Sequence, residues 1–156
     1  MIQVNPIHLH QIRTHAENTY PEECCGLLLG QIDTDSKILI EVRETENHWG
    51  VAATEFLPDI KSATRKPLTK RNRFSIAPQV MLQVQKESRD RNLVIIGIYH
   101  SHPDHQSIPS EFDRAIAHAQ YSYIIVSVHQ GRSHDLRSWV LDDGRQFQSE
   151  VIVTTS

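Results

Sequence analysis

Two apolar runs, LVIIGIY (93–99) and YIIVSV (123–128), constrain this chain more than any other feature of it. Neither alternates between polar and apolar residues, so each must be covered on both faces. Such strands belong at the centre of a sheet with other elements packed above and below. With 156 residues the chain can bury a core of that kind as one domain spanning 1–156.

The flanking segments supply the cover. Asn5 followed by Pro6 reads as an N-cap with proline at the first helical position, and Leu9, Ile12 and Ala16 mark one face of a helix ending near Tyr20. CCGLLLG (24–30) and KILIEVRE (37–44) read as hairpin strands around a turn in QIDTDS. Pro78 opens a second helix to about Asn92, with Val80, Met81 and Val84 facing inward. A third, about Ser110 to Gln120, lies between the two apolar strands. RSWVL (137–141) and FQSEVIV (147–153) read as closing strands joined at Asp143-Gly144. This order predicts an α/β (α+β) domain with about three helices on a mixed sheet. Between Asn47 and Asn72 periodicity fails, and the basic stretch 61–73 reads as a surface loop, with a docking surface for an acidic partner as the alternative.

Bulk properties exclude some classes. A formal net charge of −3 gives no general electrostatic reason to bind nucleic acid. No apolar run approaches the ~18 residues of a membrane span, and MIQVNPIHLHQ lacks a signal-peptide pattern. The two cysteines, Cys24 and Cys25, are neighbours that could pair only through a strained ring. Free thiols fit a reducing cytoplasm, the expected location.

The chemistry gathers at GIYHSHPDHQSIPSEFD (97–113). His100 and His102 are two apart at the end of a strand, so their imidazoles share a side. Asp113 falls in the first turn of the third helix and can turn its carboxylate back towards them. Two neutral nitrogens and one carboxylate suit a single zinc ion with its fourth position open. Ser110-x-x-Asp113 also reads as a helix capping box that needs no metal, and Ser110 can serve both purposes. His8 and His10 share the two-residue spacing but sit in a helix, where it separates them onto different faces. They are set aside. No residue in the stretch is an obvious base.

His-Ser-His-Pro, six residues, then Ser-x-x-Asp resembles the signature of the JAMM (MPN+) zinc metalloproteases. The form "EECCGLLLG" is similar to the upstream glutamate context of the short stand-alone bacterial members. The resemblance implies an MPN-like fold with a curved central mixed sheet, zinc on His100, His102 and Asp113, and Glu23 as the general base. Glu22 is one place too early. It further implies that Ser110 donates to the oxyanion. The expected substrate is a ubiquitin-like sulfur-carrier protein, cut after its C-terminal Gly-Gly. A non-catalytic MPN-type interaction scaffold is the alternative, and the complete residue set argues against it. A zinc deaminase would need H-x-E and P-C-x-x-C, both absent. Cys25, two residues beyond Glu23, is expected to be a small buried residue rather than a ligand.

Overall fold

The computed structural model describes residues 1–50 and 68–156. Among these, β1 (Ile2–Val4), α1 (Pro6–Thr19), β2 (Cys25–Asp33), β3 (Ser36–Thr45), α2 (Pro78–Asp90), β4 (Val94–Pro103), α3 (Glu111–Ile116), β5 (Ser122–His129), β6 (Arg132–Leu141), β7 (Phe147–Glu150) and β8 (Ile152–Thr154) follow in chain order. The strands form one sheet in the order β7-β6-β5-β4-β2-β3-β1-β8. Pairing is parallel at β4–β5, β1–β3 and β1–β8 and antiparallel elsewhere. β7 and β8 stand at opposite edges yet are separated only by Val151. A linker that short forces the edges together, so the mixed sheet is rolled nearly closed.

Both apolar runs lie where their composition requires, side by side at the centre. Leu28, Ile96, Ile124 and Val126 pack with Ile12 and Ala16 of α1 on one face. Leu27, Leu29 and Ile95 pack with Val84 of α2 on the other. A full burial of this kind contributes about 2 kcal/mol per side chain. Helix α1 starts as expected: the Asn5 side chain accepts from the Ile7 N–H at 2.9 Å and Pro6 follows. In the EECCGLLLG segment, Gly26 pairs with Tyr99, and a Cβ there would collide with the Tyr99 ring.

Several boundaries differ from the sequence expectation. β2 and β3 extend through most of QIDTDS to a two-residue turn at Thr34-Asp35, because the hairpin tip projects into solvent and carries no apolar alternation. β4 runs on to Pro103, so the histidine pair lies within the strand. Helix α3 stops at Ile116, and the Arg145 side chain donates to the carbonyls of Arg114 and Ala117 that further turns would have satisfied. FQSEVIV is two strands, not one: Phe147–Glu150 pairs with β6, and Ile152–Thr154 crosses to β1. The turn expected at Asp143-Gly144 is a loop over 142–146 closed by the Gln146 N–H on Asp142. β1 was not anticipated. Three residues are too few to show a period, though Ile2 and Val4 are fully buried. Of the basic stretch 61–73, residues 61–67 lie outside the described residues.

Candidate metal centre and catalytic site

The site is assembled at the C-terminal end of β4. His100 and His102, both buried, point to the same side of the sheet, as their spacing requires. Helix α3 brings Asp113 to them. Ser110 caps that helix: its Oγ accepts from the Asp113 N–H at 3.0 Å, while Asp113 Oδ2 accepts from the Ser110 N–H at 2.8 Å. The capping box and the metal reading of Ser-x-x-Asp are therefore compatible, since the box orients the carboxylate whose same oxygen faces both imidazoles.

The three polar atoms make a nearly equilateral triangle. His100 Nε2 and His102 Nε2 are 3.1 Å apart, and they lie 3.3 and 3.2 Å from Asp113 Oδ2. A tetrahedral ion with bonds of about 2.0–2.1 Å separates its donor atoms by about 3.3 Å, so the triangle has the right size for zinc. The tautomer also fits. His102 Nδ1 lies 2.7 Å from the Gln106 carbonyl, which can only accept, so Nδ1 carries the hydrogen and Nε2 offers its lone pair. His100 is fixed by packing instead, stacked on Phe74 with ring centroids 4.4 Å apart. Among the described residues, His100, His102 and Asp113 are the group whose donor atoms converge tightly enough to hold a metal ion, and His8 and His10 are not in it.

Charge in the site is organised around this triangle. Burial works to raise the Asp113 carboxyl, but His100 and His102 outweigh it and hold the group far below the usual carboxylate range. Burial lowers the His100 imidazole. It also acts to lower His102, where hydrogen bonding to Asp113 prevails and the imidazole is raised. An ionised carboxylate between two imidazoles in a buried pocket favours a cation.

Glu23 reaches the site from the start of β2 and is buried. Burial first, and then the Asp113 charge, push its carboxyl well above the ordinary range, with Arg73 drawing it partly back. Its backbone is held on both sides: the Glu23 N–H donates to Lys70 O at 2.7 Å, and its carbonyl accepts from Asn47 Nδ2 at 3.1 Å. Glu22 is exposed. The Ser110 residue is exposed as well, at the mouth of the site. Cys25 pairs with His100 across β2–β4, but its Sγ lies 3.5 Å from Thr45 Oγ1 and 3.6 Å from Glu46 O. Burial pushes the Cys24 and Cys25 thiols up to about 12 and about 11, so both are protonated, and no disulfide joins them.

Sequence reasoning missed the supporting residues. Asn47 uses its whole amide: Nδ2 donates to Glu23 O and Arg73 O, and Oδ1 accepts from the Trp49 and Ser75 N–H groups. Arg73 ends the basic stretch read as a surface loop, and Phe74, which follows it directly, is buried against His100. No periodicity marks these positions. An aromatic ending a basic run was the available cue.

A family model described as prokaryotic homologs of the JAB domain matches residues 6–142. The chain is 29% identical over 140 residues to a CysO-cysteine peptidase of Mycobacterium tuberculosis, covering 89% of this chain and 82% of that protein. A solution structure from Desulfitobacterium hafniense superposes with a TM-score of 0.75 at 24% identity, covering 99% of this chain and 93% of that one. A JAB1/MPN domain protein from Archaeoglobus fulgidus shares the fold, with a TM-score of 0.57 at 15% identity over 100% of this chain and 98% of that one. Matched along most of its length and folded as an MPN domain, this chain belongs to the prokaryotic JAB-domain family, the short bacterial branch of the JAMM/MPN proteins.

Proposed function

We propose that the protein is a zinc-dependent peptidase or isopeptidase that hydrolyses the bond following the C-terminal Gly-Gly of a ubiquitin-like sulfur-carrier protein. The observation that carries this reading is the triangle of His100 Nε2, His102 Nε2 and Asp113 Oδ2, with edges of 3.1–3.3 Å, beside a buried glutamate outside it. These three residues would hold the ion. Bound zinc supplies Lewis acidity, polarising a carbonyl and making water acidic enough to act as a nucleophile near neutral pH.

The chain's own residues do the rest. Glu23 takes a proton from the attacking water and returns one to the departing amine. Burial together with the Asp113 charge, by raising its carboxyl, favours its holding the proton between the two transfers. Ser110 Oγ already accepts the Asp113 N–H, which leaves the hydroxyl hydrogen free to donate to the oxygen that gains charge. Such a donor is worth about 3 kcal/mol in comparable sites. A diglycine suits the approach to a recessed metal centre, because it brings backbone without side chains.

The name of the mycobacterial relative, a CysO-cysteine peptidase, supports a substrate of this class. The reading takes 1–156 as a single catalytic domain acting in the cytoplasm. Buried free thiols agree with that compartment, and among the described residues no helix is long and apolar enough to cross a membrane.

The test is incubation of zinc-loaded protein with carriers bearing residues beyond Gly-Gly, followed by intact-mass analysis. Trimming after the second glycine is expected, and replacing the penultimate glycine by a bulky residue slows it sharply. Equal cleavage of both carriers would contradict a diglycine-specific cleft.

A further inference from the structure

Arg73 stands in the site with donors to spare. Its guanidinium carbon lies 4.7 Å over the ring of Phe112, which sits between Ser110 and Asp113 on the first turn of α3. It is near enough to Glu23 for its charge to act on that carboxylate. A guanidinium has five N–H donors. Among the described residues only Nη1 finds an acceptor, the Asn72 carbonyl at 2.7 Å, while Nε is buried without one. No hydrogen bond joins Arg73 to the Glu23 side chain among the described contacts, so bracing the base does not use the fork. The backbone beneath is fixed, because the Arg73 carbonyl accepts from Asn47 Nδ2, the same amide that holds Glu23.

Nη2 makes no hydrogen bond among the described contacts and Nη1 keeps a second hydrogen, so the outer edge of the guanidinium can meet a carboxylate in geometry and charge. On the substrate proposed above, the diglycine side of the scissile bond is uncharged. The departing side carries a carboxylate only when it is the chain's last residue. Resting on that peptidase reading, we propose that Arg73 is the residue that binds the α-carboxylate of a single C-terminal residue leaving the carrier. In the reaction the C–N bond after the second glycine breaks, and water supplies oxygen to the glycine carbonyl carbon. Both protons of water pass to the leaving nitrogen, giving a carrier ending in a Gly-Gly carboxylate and a free amino acid in its ammonium form whose own carboxylate is unchanged throughout.

The test uses zinc-loaded full-length protein and two versions of one ubiquitin-like carrier extended by a single alanine after Gly-Gly, with a C-terminal acid or amide. The wild type is expected to favour the acid at least tenfold in kcat/KM. Arg73→Met brings that ratio close to one whatever its absolute rate, and Arg73→Lys, which keeps the charge but not the fork, falls between. Thermal melting and zinc content establish that each variant is folded and loaded, with Arg73→Lys deciding the matter if Arg73→Met does not fold. A wild-type ratio near one, or a ratio that survives Arg73→Met, overturns the proposal while leaving the peptidase reading intact. Failure of the wild type to cleave either carrier overturns the peptidase reading, and this inference with it.

Discussion

Ser101 and Cys24, 77 residues apart in sequence, exchange two hydrogen bonds. Ser101 Oγ accepts the Cys24 N–H at 2.8 Å, and the Ser101 N–H donates to Cys24 O at 3.2 Å. Ser101 stands between the two histidines on β4, and Cys24 follows Glu23. The strand that offers imidazoles thus sets the backbone beside the proposed base.

Ser101→Ala therefore leaves a buried N–H without its partner and costs about 1–3 kcal/mol of stability. The larger effect falls on catalysis. Turnover is expected to drop about tenfold or more while zinc affinity changes little, since the ligands stay on their own strand and helix. A denaturant midpoint, a zinc titration and a rate on one preparation separate these effects. Lowered stability with an unchanged rate would make the bond structural only.

Zinc binding should show the protonation signature of its ligands. Asp113 is held far below the ordinary range and stays ionised as pH falls, so competition from protons comes through the imidazoles. Both must be neutral to bind, and protonation displaces the ion. Apparent affinity should therefore begin to fall as pH drops through the raised His102 pKa, by about tenfold per pH unit, and steepen to about a hundredfold once the lowered His100 imidazole protonates as well. His102→Ala should abolish stoichiometric zinc, whereas His8→Ala and His10→Ala should not. Equal zinc in wild type and His102→Ala by metal analysis would remove the site.

The thiols should be silent. The Cys25 sulfur is engaged with Thr45 and the Glu46 carbonyl, and burial keeps it protonated. Cys25→Ser is expected to keep its zinc and most of its turnover. A large loss of zinc would make Cys25 a ligand.

How much of this was legible depended on the range of each interaction. The central strands showed in LVIIGIY and YIIVSV because burial on both faces removes polar residues from the sequence itself. The ligands showed because His100, His102 and Asp113 lie within one strand–loop–helix unit, where spacing fixes direction. Glu23 needed the family resemblance, since nothing local pairs it with histidines 77 or more residues away. Asn47, Arg73 and Phe74 were hidden for the same reason: their roles arise from contacts between distant segments in a stretch without periodicity. β1 was missed because a three-residue strand carries too little pattern, and β8 was read as the end of a single strand over 147–153 because nothing local marks the crossing at Val151.

The central claim is that Glu23 moves protons while His100, His102 and Asp113 hold the ion, and zinc content and turnover measured on the same preparations test it. Glu23→Gln preserves shape and hydrogen-bonding capacity but cannot take a proton from water at neutral pH. The account predicts full zinc occupancy with turnover reduced about 10²-fold or more. Asp113→Asn, by contrast, loses occupancy and rate together. Near wild-type turnover in fully zinc-loaded Glu23→Gln would contradict the account.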